Sequence, residues 1–301
     1  MSGPSASAMR DYLELVRAPA VLTVLGDTLA GGAAAGHPVG GRRLALPLAS
    51  ACLYAGGMAL NDYADRGIDA VERPERPVPS GRISPERALG AAAALTVLGL
   101  GLSAVGGGRR SLAVGAPLAA AIWSYDLAAK RHPVPAALTM GVCRALDVLM
   151  GTGTADLRSA LPAAAAMGGH TVAVTALSRG EVNGTDTTTA AGAAATTALV
   201  SASVLAGAPR SWRGALPVLA AVGVYAARCA PAQVEAARDP AARNALEATK
   251  RGIRAMVPLQ AALAFRHGST AAGLAVAAVD VLGKVLRARS ARGTNREMSE
   301  S

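Results

Sequence analysis

Residues 44–69 read LALPLASACLYAGGMALNDYADRGID. The first part, 44–62, carries no charge until Asp62. An α-helix needs roughly 20 such residues to cross the hydrocarbon of a bilayer. The run therefore reads as a membrane span that ends in acid. Asp62, Asp65 and Asp69 follow at i, i+3 and i+7, a spacing that puts all three on one face of a continuing helix. Carboxylates facing the same way repel, and at a membrane boundary they also cost desolvation. A divalent cation removes both penalties. Mg²⁺ prefers oxygen ligands and typically joins one or two carboxylates to substrate phosphates. The stretch reads either as a Mg²⁺–diphosphate site or as an ordinary solvated acidic helix end.

The loop beyond it runs Arg73-Pro74-Glu75-Arg76-Pro77-Val78-Pro79-Ser80-Gly81-Arg82-Ile83-Ser84. A guanidinium is planar and permanently charged, which suits phosphate recognition. The prolines stiffen the loop and Gly81 permits a tight turn. Arginines that only fix membrane topology are the competing reading.

Outward from this segment, the same apolar texture recurs. Of 301 residues, 51% are hydrophobic and 17% charged, whereas soluble domains carry about 25% charge. Ala, Leu, Val and Gly dominate, with a single Phe; small residues let helices pack closely where no hydrophobic effect drives them together. Candidate spans fall near 18–36, 44–62, 87–106, 111–128, 135–153, 160–178, 188–207 and 214–231, then a short run at 252–265 and a longer one at 269–286. The expected fold is an all-α, polytopic transmembrane bundle of nine or ten helices. The run at 252–265 is too short for an ordinary span and reads as a tenth crossing or a re-entrant piece. A soluble Ala-rich bundle is disfavoured by the length of these runs.

The net charge of +10 does not indicate nucleic acid, because the basic residues cluster in alternate loops. With the N-terminus in the cytoplasm, the loops holding Arg66, Arg73, Arg76, Arg82, Lys130, Arg131, Arg179 and Lys250 are all cytoplasmic, as the positive-inside rule requires. This implies a multi-pass protein of the cell membrane whose functional mouth faces the cytoplasm. Residues 1–287 read as one membrane-embedded domain and 288–301 as a polar, disordered tail. Three scattered cysteines, Cys52, Cys143 and Cys229, form no disulfide framework or metal spacing. No P-loop or His-Glu-x-x-His motif is present.

Asn-Asp-x-x-Asp-x-x-x-Asp at 61–69 followed by Arg-Pro-x-Pro-Ser-Gly-Arg-Ile-Ser at 76–84 resembles the first signature of the UbiA prenyltransferase superfamily. Ser124-Tyr125 with Lys130-Arg131, and 141–151 including Arg144, resemble later segments of that family. The resemblance implies a helical bundle around a central cavity. It further implies Asp62, Asp65 and Asp69, with Asn61, as the first metal–diphosphate site, and diphosphate contacts from Arg76 and Arg82. It carries the expectation of a Mg²⁺-dependent transfer of an isoprenyl group from its diphosphate to a small or lipophilic acceptor. Lys130 and Arg131 add positive charge at the same mouth.

Family members carry a second acidic motif after the sixth span. Here that segment is Ser178-Arg179-Gly180-Glu181-Val182-Asn183-Gly184-Thr185-Asp186, and it resembles the EboC-like branch. Ser178 stands where the first carboxylate is expected. Glu181 and Asp186 remain as metal-ligand candidates, Asn183 offers a neutral oxygen, and Arg179 is a candidate for direct diphosphate contact. The reduced charge leaves one ion or two open. Arg144 and Asp147 lie one turn apart inside a span, as an acceptor-pocket lining or as a structural ion pair. Asp27 in the first span and Asp280 in the last pose the same choice, with Lys284 an i,i+4 partner for Asp280. Tyr54, Tyr63, Trp123 and Tyr125 are candidates to flank an allylic cation. A terpene cyclase on the same scaffold, or a non-catalytic carrier of prenylated metabolites, are the alternatives.

Overall fold

A computed structural model describes residues 6–153, 155, 157–279 and 281. The expected pair Asp280–Lys284 and the tail at 288–301 lie outside these. Among the described residues there is no strand. The chain forms α1 (Ala6–Leu15), α2 (Ala18–Val21), α3 (Leu25–Ala34), α4 (Ala45–Ala64), α5 (Arg66–Glu72), α6 (Pro85–Leu127), α7 (Pro133–Met150), α8 (Leu161–Ser178), α9 (Thr187–Ala206), α10 (Trp212–Arg238) and α11 (Ala242–Arg266). A short apolar helix, α12 (Thr270–Val279), follows. Among the described residues, six segments are long and apolar enough to cross a membrane.

α6 is a hairpin. Gly108 at its middle has φ +70°, a conformation other residues adopt only with strain. Trp123 donates its ring N–H to Thr96 Oγ1 at 3.2 Å. Those residues would stand about 40 Å apart on one straight helix. The two arms, 85–107 and 109–127, therefore run antiparallel, as the expected spans 87–106 and 111–128 require.

The run at 252–265 corrects the sequence reading. It is the second half of α11, which starts at Ala242 and spans 25 residues. Its first half is too polar to register as a span, yet buries Ala245, Ala248, Thr249 and Gly252 on one stripe. The eighth span likewise extends to Arg238. Counting α2 with α3, both arms of α6, α4 and α7 to α11, nine rods traverse the bundle among the described residues. The expected run at 269–286 begins in α12 and reaches beyond the described residues.

Small residues set the packing. A Cβ built on Gly31 of α3 would stand 1.8 Å from the Val148 carbonyl oxygen of α7. One on Gly151 would stand 2.1 Å from the Thr28 carbonyl oxygen. The two backbones touch because neither position carries a side chain. In the C-terminal half the interior is filled. Met167, Tyr225, Leu259 and Leu263 pack fully buried. His170 bridges the Tyr225 hydroxyl at 3.0 Å and the Gly252 carbonyl at 3.0 Å, so this buried polar pair is satisfied. The N-terminal half instead holds an internal cavity.

Candidate active site

The acidic mouth is built where α4 stops. α4 ends at Ala64, Asp65 is a link with φ −90° and ψ 2°, and α5 begins at Arg66. The helix does not continue through the three aspartates, and this corrects the single-face expectation. Asp62 and Asp69 share an arginine, whereas Asp65 meets a lysine.

Asp62 and Asp69 are 2% and 1% exposed. Buried carboxylates require partners, and arginines supply them. Arg76 Nη1 lies 2.6 Å from Asp69 Oδ2 and 3.5 Å from Asp62 Oδ1. Arg17 Nη2 lies 3.2 Å from Asp62 Oδ1 and donates to Asn61 Oδ1 at 3.4 Å. Arg73 approaches Asp69 at 3.8 Å. Asp65 instead meets Lys130 Nζ at 2.7 Å. Lys130 is also 3.7 Å from Asp126, whose carboxylate accepts from the Asn61 amide at 3.1 Å. Four carboxylates thus sit in two pairs, one around Arg76 and one around Lys130.

Arg131 lines the same mouth, beside Asp65, Asp69, Arg73 and Lys130. Arg82 is turned away from it. It donates to Asp11 at 2.7 Å, to both Glu14 carboxylate oxygens at 2.7 and 2.9 Å, and to the Glu75 carbonyl at 2.7 Å. The Arg82 guanidinium holds the Glu14 carboxyl below its ordinary value, and the two acids push Arg82 up. Arg82 therefore docks α1 across the arginine loop. Leu15, Val78 and Ile83 bury together beneath this contact.

Below the mouth lies a largely apolar cavity of about 200 Å³. Leu53, Met58, Leu118, Ile122 and Met140 form much of its wall. Asn61, Tyr125 and Asp126 line both spaces and mark the neck between them. Of the four aromatic candidates, Tyr54 and Tyr125 face the cavity. Tyr63 stacks under Arg66 at 4.5 Å, and Trp123 is committed to Thr96. Arg144 and Asp147 line the cavity far from the mouth. Arg144 pairs with buried Asp27 at 2.8 Å, and Asp147 accepts from Ser50.

The second cluster stands apart. Glu181 and Asn183 lie in the turn after α8, and neither lines the mouth or the cavity. Arg179 and Asp186 border a separate groove with Pro133 and Leu138. Asp186, expected as a metal ligand, caps α9. Its two oxygens accept from the Thr189 N–H at 2.8 Å and the Thr189 hydroxyl at 2.6 Å, which lowers its pKa.

The oxygen-rich donor set, four carboxylates and the Asn61 amide oxygen, suits Mg²⁺ by its chemistry. Among the described residues no three acidic, histidine or cysteine side chains converge closely enough to hold an ion. Arg17, Arg76 and Lys130 supply the neutralising charge instead. Sequence reasoning missed Arg17, Asp11, Glu14 and Asp126. Only Asp126 left a signal, its i,i+4 spacing to Lys130.

An acidic, arginine-ringed mouth opening onto an apolar cavity inside a helical membrane bundle has the shape to take a charged head group on a lipid tail. Residues 21–247 match the UbiA prenyltransferase family, and the chain belongs to that family; it is an integral membrane protein. It is 41% identical over 147 residues to the digeranylgeranylglyceryl phosphate synthase of Ignicoccus hospitalis, covering 48% of this chain and 47% of the relative. It is 40% identical over 131 residues to the synthase of the same name from Methanopyrus kandleri, covering 42% and 46%. The chain thus matches about half the length of these relatives. Its fold is similar to that of a UbiA homologue from Archaeoglobus fulgidus bound to GPP and Mg²⁺, with a TM-score of 0.60 at 17% identity over 88% of this chain and 99% of that one.

Proposed function

We propose that this chain is a Mg²⁺-dependent intramembrane prenyltransferase that takes an isoprenyl diphosphate as donor. The observation that carries the proposal is the neck, where Asn61, Tyr125 and Asp126 join a charged mouth to an apolar cavity. A molecule with a polyanionic head and a hydrocarbon tail fits both spaces at once, with its reactive C1 at the boundary.

Asp62, Asp65 and Asp69, with Asn61, are the residues that would hold Mg²⁺ on the diphosphate. The ion, when bound, compensates charge that develops on the leaving oxygen. Arg76, Lys130 and Arg131 bind diphosphate oxygens, and Arg17 is freed from Asp62 to do the same. Arg82 acts from beside the mouth by fixing the arginine loop. Tyr125 presents its ring at the neck, where positive charge grows on C1. The cavity wall excludes water from that carbon. The C1–O bond breaks, the diphosphate leaves with its electron pair, and an acceptor oxygen bonds to C1 and gives up its proton to the departing diphosphate.

The relatives' name makes a hydroxyl of a glyceryl phosphate the first acceptor to test. Glu181, Arg179 and Asn183 lie at the same end of the bundle and supply a second, weaker charge set as the acceptor approaches. Residues 1–287 form the single catalytic domain, with the mouth on the cytoplasmic face of the cell membrane.

The test is diphosphate release by purified protein, with and without Mg²⁺. Asp62→Ala should lower release by at least about a hundredfold, the scale of losing one preorganised electrostatic contact, while the protein stays folded. Undiminished release would reject the site.

A further inference from the structure

The cavity is closed at its far end by charge, and that floor has no part in the chemistry at the neck. Depth follows from helix register. On α4 the lining residues step away from the mouth as Asn61, Met58, Leu53 and Ser50. On α7, which runs the other way, they step down as Met140, Cys143, Arg144 and Asp147. Ser50 and Asp147 meet by a hydrogen bond at the bottom. Eleven residues separate Ser50 from Asn61, so the floor lies about 17 Å below the neck at 1.5 Å per residue.

The walls between are apolar and the floor is not. Asp27 is paired with the Arg144 guanidinium, and Asp147, one turn along from Arg144, lines the floor beside it. Gln260 of α11 donates to Asp27 at 2.8 Å, and Asp147 Oδ1 is buried with no hydrogen-bond partner. A hydrocarbon end pressed onto these groups would exclude any water reaching them and return no hydrogen bond.

We propose that this floor is a ruler for the donor's isoprenyl chain; the inference rests on the prenyltransferase reading above. An isoprene unit adds four chain bonds, about 5 Å when extended at the roughly 1.2 Å per bond of any extended chain. Three units fill the depth from neck to floor. A fourth drives its methyl groups into Asp147, Ser50 and Arg144. The cavity selects geranyl and farnesyl donors and disfavours geranylgeranyl, whereas the relatives' name carries the longer group.

The experiment measures binding and turnover separately on the full chain in detergent. Mg²⁺-dependent thermal stabilisation by geranyl, farnesyl and geranylgeranyl diphosphate gives the binding order, and diphosphate release gives turnover. Geranylgeranyl diphosphate should bind at least tenfold more weakly than farnesyl diphosphate. Asp147→Leu removes the second carboxylate and leaves the Asp27–Arg144 pair intact, so this gap should narrow. Met58→Phe narrows the cavity nearer the mouth, so the preference should move to geranyl. Equal binding of farnesyl and geranylgeranyl donors, or a preference that neither variant moves, overturns the ruler. Binding in the expected order without release with any acceptor supports the ruler and rejects the transfer reaction. No stabilisation by any donor rejects both.

Discussion

At the residue scale, charge is satisfied by reach rather than by sequence spacing. The Asp62–Arg17 contact crosses 45 positions of sequence. Asp27 and Arg144 come from different spans. Removing one side of a buried pair strands the other, at a cost of about 3–5 kcal/mol. Asp27→Ala should therefore lower the thermal midpoint in detergent sharply, and Asp147→Leu much less, because Arg144 keeps its partner. Equal losses would contradict the pairing. Asp62 and Asp69 were legible from their spacing and from the Arg-Pro-x-Pro-Ser-Gly-Arg loop. Arg17, Asp11 and Glu14 were not, since polar residues ahead of a first span look the same whether they fix topology or fold back on the site.

At the element scale, two short pieces decide what the motif residues do. α5 breaks from α4 at Asp65, and this sends one aspartate to Lys130. α1 is fastened by Asp11 and Glu14 to Arg82. Glu14 has a folded pKa below its ordinary 4.5. Its contribution is fully present above 4.5 and is lost as pH falls through the lowered value. Glu14 is half exposed, so the effect is modest and screened by salt. Hydrogen exchange of the α1 amides should stay slow at neutral pH and quicken under acid or high salt; exchange insensitive to both would deny the docking role. Asp186 belongs to α9 as its cap. Asp186→Asn should preserve the thermal midpoint and Asp186→Ala should lower it, since Asn caps as well as Asp. A loss of Mg²⁺ dependence in the Asn variant would return this carboxylate to the metal. The run 252–265 looked too short because hydropathy averages over a helix's faces. The buried stripe Ala245, Ala248, Thr249, Gly252 has the i, i+3, i+4, i+7 pattern that identifies α11.

At the scale of the whole molecule, apolar run lengths mark the rods seen among the described residues, with α11 marked only in its second half. The placement of the cavity depended on backbone contacts that no periodicity reports. α3 and α7 bring their backbones together where Gly31 and Gly151 lack side chains. Gly31→Ala puts a methyl against the Val148 carbonyl and should cost about 1–3 kcal/mol by forcing those helices apart. A thermal midpoint equal to that of the parent would deny the close approach.

All walls of the cavity come from residues 17–147, and this has a consequence for biogenesis. The ribosome delivers the whole cavity in one uninterrupted stretch, before the filled half has been made. α11 arrives late, and its Gln260 then hydrogen-bonds Asp27 and the Thr23 carbonyl while Met256 sulfur meets Arg144. A nascent chain halted after α7 holds a chamber whose charged base still lacks its last supports. α11 is the keystone that makes the vault permanent.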